Sequence, residues 1–166
     1  MRIGQALGLR HENIVSWERR IEIVPRAGGS GRARSKGGAR GSVPVPGELI
    51  RLWSDYMHEE YGALESDFVF VNLWKGELGR PLSYSSVNEL VRRTRELVGF
   101  HFTVHQFRHT FATLAYRDGV ALEVIGAVLT HSSPSSTLIY THLTAEDLRR
   151  MLADRGVLDR VADLLL

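Results

Sequence analysis

The sequence predicts an α+β fold that is mostly α-helical, with one small antiparallel β-hairpin near the N-terminus. Apolar residues recur at helical spacing over most of the 166 residues. One stretch near the N-terminus differs, because two short β-branched segments there flank a glycine-rich loop. The length suits one well-packed domain and is short for two. The sequence shows no internal repeat and no low-complexity tract.

The predicted hairpin runs from Ile21 to Pro46. Its strands are 21–25 and 42–46, and the prolines of the second strand confine it to a sheet edge. The tip is rich in glycine and small residues, and basic residues outnumber acids seven to one between 19 and 40. A solvated loop accounts for this charge. A surface that binds a nucleic-acid backbone accounts for it equally, since neutralised phosphates release counterions.

Three amphipathic helices are predicted around the hairpin. Their marker residues are Ile3, Ala6 and Leu7 for the first; Leu49, Leu52, Trp53 and Tyr56 for the second; and Val87, Leu90, Val91 and Thr94 for the third. The first pattern weakens at Gly8, and the third helix is expected to end at Gly99. Between the second and third helices, the apolar run 68–71 is a candidate for a short buried strand.

Helices follow one another from Thr103 onward. Thr103 and Gln106 have the spacing of a capping box, so a helix should begin near Val104 and end near Gly119. Its inward side chains are expected to be Phe107, Phe111 and Leu114. Later helices are marked by Leu122, Ile125 and Leu129; by Ser133-Pro134, which opens a short helix containing Tyr140; by the capped start 144–147; and by the apolar segment 157–166.

Composition excludes some classes of protein. Without cysteine the chain has no disulfide framework and no thiolate metal site. It has no run of 18 apolar residues, and its first residues lack the form of a signal peptide. These features favour a cytoplasmic protein that is not embedded in a membrane. The net charge of +2 indicates no particular partner.

The candidate catalytic residues lie mainly in the last third of the chain. His105 and Arg108 are three residues apart and therefore share one face of a first helical turn, where free backbone N–H groups favour an anion. His131 and Tyr140 follow. A phosphodiester transfer needs a nucleophile, cations on the nonbridging oxygens, a proton acceptor and a donor for the leaving oxygen. Tyrosine, arginine, histidine and lysine side chains can meet these needs.

Each of these residues also has a simpler interpretation. A tyrosine on a short helix is usually a packing or surface residue, and a histidine beside a helix start usually makes a local hydrogen bond. His105 and His109 lie four residues apart and could share a metal ion. Arg108 between them and the lack of a nearby carboxylate pair make that the weaker interpretation. The combined spacing therefore carries more weight than any one residue.

That spacing resembles the tyrosine recombinase (phage integrase) family. His-x-x-Arg-His-Thr at 105–110 is followed by His-Ser-Ser at 131–133 and by Tyr-Thr-His, whose tyrosine comes nine residues after His131. The resemblance extends over nearly the whole chain and is most specific between 105 and 142. It implies the fold of the family's catalytic domain. It also implies DNA strand cleavage and rejoining through a 3′-phosphotyrosyl intermediate.

The resemblance implies a role for each residue. His105, Arg108 and His131 would bind and activate the scissile phosphate, and Tyr140 would attack it. Lys36 lies in a glycine-rich turn that leads into the Val-Pro strand of the hairpin. This context matches the family's general-acid lysine.

The family's first catalytic arginine has two candidates in this chain. Arg10 follows Gly-Leu, as the family's arginine does. Register favours Arg2 instead, because segments 2–7 and 9–14 resemble, in order, the family's Arg-Ile-Ser-Glu-Leu-Leu and Leu-Arg-Trp-x-Asp-Ile. Gln5 then stands where the family usually has glutamate. We therefore expect Arg2 to complete the catalytic set.

The implied function is site-specific DNA recombination of the integration or excision type, without a metal or other cofactor. The implied partners are double-stranded DNA and other recombinase protomers, in a tetramer on DNA, at the nucleoid of a bacterial or phage-infected cell. Residues 1–166 would be a single catalytic domain, truncated at its N-terminus and lacking the family's DNA-gripping domain. A catalytically silent DNA-binding fragment and a type IB topoisomerase-like enzyme are the alternatives. The His-x-x-Arg-His-Thr form favours the recombinase over the topoisomerase.

Overall fold

A computed structural model of the chain describes residues 1–24, 40–129 and 144–165. Within these ranges it contains seven α-helices and a three-stranded antiparallel sheet, which confirms the predicted α+β class. The helices are α1 (Ile3–Leu7), α2 (Gly47–Tyr56), α3 (Tyr84–Val98), α4 (Val104–Arg117), α5 (Leu122–Val128), α6 (Ala145–Ala153) and α7 (Val157–Asp163). The strands are β1 (Ile14–Val15), β2 (Arg20–Ile23) and β3 (Gly41–Pro44).

The sheet has the order β1-β2-β3. Strands β2 and β3 pair antiparallel, with Ile21 opposite Val43, which confirms the predicted hairpin. Strand β3 lies at an edge, as its prolines require. Strand β1 was not predicted, because two residues are too few to show an alternating pattern. The basic hairpin tip lies outside the described residues.

Local sequence signals set the ends of the long helices. The Ser83 hydroxyl accepts a hydrogen bond from the Ser86 amide at 3.1 Å and begins α3. That helix ends, as predicted, at Gly99, whose φ of 72° is in the left-handed region that favours glycine. Capping boxes begin α4 at Thr103 and α6 at Thr144, also as predicted.

The buried apolar side chains form two clusters. The N-terminal core contains Leu9, Ile14, Ile21, Ile23, Val45 and Val69. The C-terminal core contains Ala115, Val120, Val124, Ile125, Val128, Leu129, Leu148, Leu152 and Val157. Val43, on the edge strand, packs against both clusters. The sheet therefore joins the two cores, and helices α4, α5, α6 and α7 supply the second.

The predicted inward face of α4 is partly wrong. Phe107 is 61% exposed and Leu114 is also exposed, whereas Ala115 is completely buried. Phe111 and Ala112 pack against the C-terminal core beside it. At about 100° per residue, Phe111, Ala112 and Ala115 centre on one side of the helix, roughly a quarter turn from the side that carries Phe107 and Leu114. The helix therefore turns Phe111 and two alanines toward this core, and Phe107 and Leu114 lie outward.

The apolar run 68–71 does not form a strand. It makes only isolated bridges, between Arg10 and Phe68 and between Val71 and Pro81. Val69 and Val71 are buried but Phe70 is 38% exposed, so the predicted burial holds for only part of the run. Its partners are loop residues on either side, and no regular ladder forms.

None of the helices in the described ranges is both long enough and apolar enough to cross a membrane.

Candidate active site

The capping box at the start of α4 places the two predicted phosphate ligands of this helix. The Thr103 hydroxyl accepts a hydrogen bond from the Gln106 amide at 3.3 Å, and the Gln106 side chain accepts one from the Thr103 amide. Such a cap contributes about 1 kcal/mol to helix stability. His105 and Arg108 therefore lie in the first two turns, on one face, as the spacing predicts.

Arg108 is the least satisfied cation in the described part of the chain. Both of its terminal nitrogens are buried, and neither has a hydrogen-bond partner among the described residues. Burial lowers the pKa of the guanidinium, and the nearby charge of Arg2 lowers it further. A buried group with this many unused donors is costly to keep. An anion that accepts hydrogen bonds from both nitrogens would remove that cost.

Arg2, near the start of the sequence, is the charged residue that acts on Arg108. It immediately precedes α1, and its backbone amide donates to the Gln5 side-chain oxygen at 2.6 Å. The side-chain oxygen of Gln5 thus caps α1. Gln5 stands at the position where the recombinase family usually has a glutamate. The Met1 amino group shares the environment, because burial and the charges of Arg108 and Arg2 lower its pKa to about 6. The surroundings of Arg108 are strongly electropositive.

Arg10, the alternative first arginine, has a different environment. It pairs with Asp67 at 3.2 Å, and its guanidinium carbon lies 5.2 Å from the centre of the Phe68 ring. The carboxylate of Asp67 offsets the charge of Arg10. The charge that further lowers the pKa of Arg108 comes from Arg2. The catalytic role of Arg2 stays a prediction.

The two histidines of α4 lie together on its exposed side. The ring centres of His105 and His109 are 4.5 Å apart in an edge-to-face arrangement. The residues that the structure describes contain no group of three or more side chains able to hold a metal ion. His105 lies one helical turn before Arg108, and its side chain is exposed.

Lys36, His131 and Tyr140 lie outside the described residues, and their roles stay predictions. The segment that carries His131 and Tyr140 is bounded by α5 and α6. Both of these helices bury side chains in the C-terminal core, at Val128 and at Leu148 for example. The helix that carries Arg108 contributes Ala115 to the same core. The described residues on either side of that segment therefore pack in the same core as the helix that carries Arg108.

One arginine with long-range contacts was missed by the sequence analysis. Arg149, on α6, donates hydrogen bonds to backbone carbonyls of residues 18, 19 and 45. In the sequence it is half of an Arg-Arg pair, and nothing local distinguishes it from Arg150. Helical phase offers only a weak signal, since Arg149 follows the buried Leu148 directly.

Residues 1–147 match the model of the phage integrase family. This chain belongs to the phage integrase family. The match confirms the resemblance seen in the motifs and covers every residue of the predicted catalytic set.

Sequence relatives of this integrase-family chain include a transposase and several tyrosine recombinases. Transposase A from transposon Tn554 of Staphylococcus aureus is 39% identical over 151 residues, which cover 90% of this chain and 42% of that protein. Tyrosine recombinase XerA of Pyrococcus furiosus is 29% identical over 126 residues, covering 76% of this chain and 43% of that protein. The chain thus spans about two fifths of the length of these relatives.

Solved structures show the same fold. The crystal structure of XerA recombinase matches with a TM-score of 0.63 at 25% identity, covering 92% of this chain and 52% of that one. The Tn1549 transposon integrase matches with a TM-score of 0.58 at 19% identity, covering 93% of this chain and 54% of that one. The predicted fold of the family's catalytic domain is therefore confirmed.

Proposed function

We propose that residues 1–166 form the catalytic domain of a site-specific recombinase that cuts and rejoins DNA through a 3′-phosphotyrosyl intermediate. The observation that carries the proposal is the Arg108 guanidinium, whose buried terminal nitrogens have no partner among the described residues and lie in the field of Arg2. Two guanidinium groups that repel each other are stabilised together by an anion between them. A DNA phosphate is the anion that the family assignment supplies.

The pocket would act mainly by electrostatic stabilisation. Guanidinium groups match the geometry of phosphate oxygens. Their positive charge stabilises the phosphate more strongly as negative charge builds up on its oxygens in the transition state. Because both arginines are at least partly buried, their interaction with the phosphate is less screened than at an open surface. His105 would add a hydrogen bond to a nonbridging oxygen.

The chemical step exchanges one phosphate ester for another. The Tyr140 oxygen forms a bond to the scissile phosphorus, and the bond from phosphorus to the 5′ oxygen breaks. The phenol proton passes to a histidine of the set, and Lys36 gives a proton to the departing 5′ oxygen. Rejoining reverses these transfers with the 5′ hydroxyl of another strand. Every proton and bond is accounted for by side chains, so the proposed step requires no metal.

The partners follow from the same proposal. The solved Tn1549 integrase is in complex with transposon right end DNA, and the Staphylococcus relative is a transposase. Double-stranded DNA at a mobile-element end is therefore the proposed substrate. Strand exchange between two duplexes calls for other protomers, and we include a tetramer on nucleoid DNA in the proposal.

Covalent capture on nicked DNA tests the proposal. We expect the protein to form a denaturant-resistant adduct with nicked duplexes that tile the DNA flanking its gene. A nick beside the cleaved phosphate lets the short 5′-hydroxyl fragment diffuse away, which traps the adduct. The yield should be the same with and without EDTA, because side chains make all the proton transfers. Adduct formation that requires a divalent metal contradicts the mechanism, and DNA binding without any adduct supports the silent fragment instead.

A further inference from the structure

Arg149 makes the longest-range polar contacts described for this chain. Its side chain is only 20% exposed. One terminal nitrogen donates to the Glu18 carbonyl at 2.8 Å and also to the Arg19 carbonyl. The other terminal nitrogen donates to the Val45 carbonyl at 3.3 Å. A single guanidinium thus binds three backbone carbonyls of the sheet region from α6.

These carbonyls lie at one corner of the sheet. Glu18 and Arg19 form the turn between β1 and β2, and Val45 directly follows β3. Arg19 has a φ of 49°, in the left-handed region, and its carbonyl also accepts the Val45 amide at 2.8 Å. This conformation costs free energy for a non-glycine residue and persists only when surrounding contacts hold it. Arg149 and Val45 together supply the donors that hold this turn.

Apolar packing alone does not fix α6 this closely. Leu148 and Leu152 anchor the helix in the C-terminal core, but apolar contacts are non-directional. The ion pair of Arg149 with Glu146 is long, at 3.9 Å, and lies within the same helix. The planar fork of an arginine, in contrast, fixes both distance and direction toward its acceptors. Arg149 therefore sets the position of α6 along and around the sheet corner.

This position bears on the proposed active site. Helix α6 is the first described element after the segment that carries Tyr140. The carbonyls that Arg149 binds flank the Arg20–Pro44 end of the β2–β3 hairpin, and the other end, where Ile23 pairs with Gly41, leads into the segment that carries Lys36. We infer that Arg149 is a positioning residue for DNA cleavage. It fixes α6, which follows the Tyr140 segment, to the β2–β3 hairpin, which flanks the Lys36 segment. The inference rests on the proposed function. Misplacement of reacting groups by about 1 Å can lower a rate by as much as 10²-fold.

Arg150 provides a matched control. It is the next residue on the same helix and carries the same charge, but its side chain is 68% exposed, and the polar contact described for it is with Asp147, at 3.4 Å on the same helix. Arg149→Ala and Arg150→Ala therefore remove equal charge from neighbouring positions. A general effect of charge on DNA binding should appear in both variants. An effect of losing the hydrogen bonds to the sheet carbonyls should appear only in Arg149→Ala.

The test is single-turnover cleavage of nicked DNA at increasing protein concentration. Arg149→Ala is expected to lower the limiting rate constant about tenfold or more, with the half-saturating concentration unchanged. Arg150→Ala should stay within about twofold of the wild type in both quantities. Arg149→Lys keeps the charge without the fork, so its rate should fall between the wild type and Arg149→Ala. An unchanged rate with weaker binding would make Arg149 a DNA contact and overturn the inference.

Hydrogen exchange separates this inference from the proposed function. Arg149→Ala should speed exchange of the α6 amides while leaving those of α4 unchanged, and Arg150→Ala should change neither. Equal acceleration in both helices would indicate a general loss of stability and would overturn the inference. A wild-type chain that forms no adduct overturns the proposed function alone. The exchange data then still decide whether Arg149 holds α6 in place.

Discussion

Arg108→Ala is expected to lower the rate of adduct formation by on the order of 10²- to 10³-fold, the usual effect of removing one donor to a developing negative charge. The same change should leave the free energy of unfolding unaltered or raise it. In the folded chain both terminal nitrogens of Arg108 are buried without a partner among the described residues. Burial and the charge of Arg2 lower the pKa of this guanidinium. Without DNA, Arg108 thus costs stability, and the alanine variant is relieved of that cost.

Two controls make the Arg108 result specific. Arg117→Ala removes an exposed arginine from the last turn of the same helix and should change neither rate nor stability by much. Arg108→Lys retains a charge but not the two-pronged geometry, and should recover only part of the rate. Rates come from gel quantification of the adduct, and stability comes from urea denaturation. An Arg108→Ala variant that unfolds easily and cleaves at the wild-type rate would make this arginine a structural residue.

Leu152→Ala is expected to destabilise the fold by about 2–5 kcal/mol, the range for truncating a fully buried leucine. Leu152 is 1% exposed and lies in the C-terminal core, where α6 packs with α5 and α7. The core around it is built from branched aliphatic side chains on several elements, so collapse into the cavity should be limited. Urea denaturation of the two proteins gives the difference directly.

Leu164 is the matched control for this stability measurement. It is a leucine near the same end of the chain but is 82% exposed, so Leu164→Ala should change stability by no more than about 0.5 kcal/mol. Equal small losses at both positions would mean that α6 does not pack on this core in solution. In that case the anchoring of the Tyr140 segment, and the positioning role of Arg149, would both lose their basis.

Features that depend on neighbouring residues were predictable from the sequence. The capping pairs Thr103–Gln106 and Thr144–Asp147 act within one helical turn, and Gly99 ends α3 through its own backbone conformation. The hairpin strands also follow from local composition, because β-branched residues and prolines restrict the backbone directly. These signals need no knowledge of the rest of the fold.

Features set by the identity of the packing partner were not predictable in this way. The helical pattern places Phe107 inward, but the inward residue is Ala115, because neighbouring helices decide how much room remains. The contacts of Arg149 join residues 104 to 131 positions apart. Strand β1 exists only because β2 is available to pair with it. Each of these outcomes depends on elements that are distant in sequence.

The candidate site shows both situations. Motif spacing and the family resemblance assigned Arg2 and Arg108 to one catalytic set and ranked Arg2 above Arg10, and the charge of Arg2 lowers the pKa of Arg108. The sequence could not reveal that both terminal nitrogens of Arg108 are buried without an acceptor in the described residues. That feature turns a motif position into a phosphate-binding hypothesis with a physical cause.

The most direct test of the account is the chemical identity of the protein–DNA bond. The adduct trapped on nicked DNA can be digested with protease and nuclease, and the linked peptide can be sequenced by mass spectrometry. The account predicts a nucleotide joined through its 3′ phosphate to Tyr140, and no adduct from Tyr140→Phe. A link to another residue, a 5′-phosphate link, or an undiminished adduct from Tyr140→Phe would contradict it.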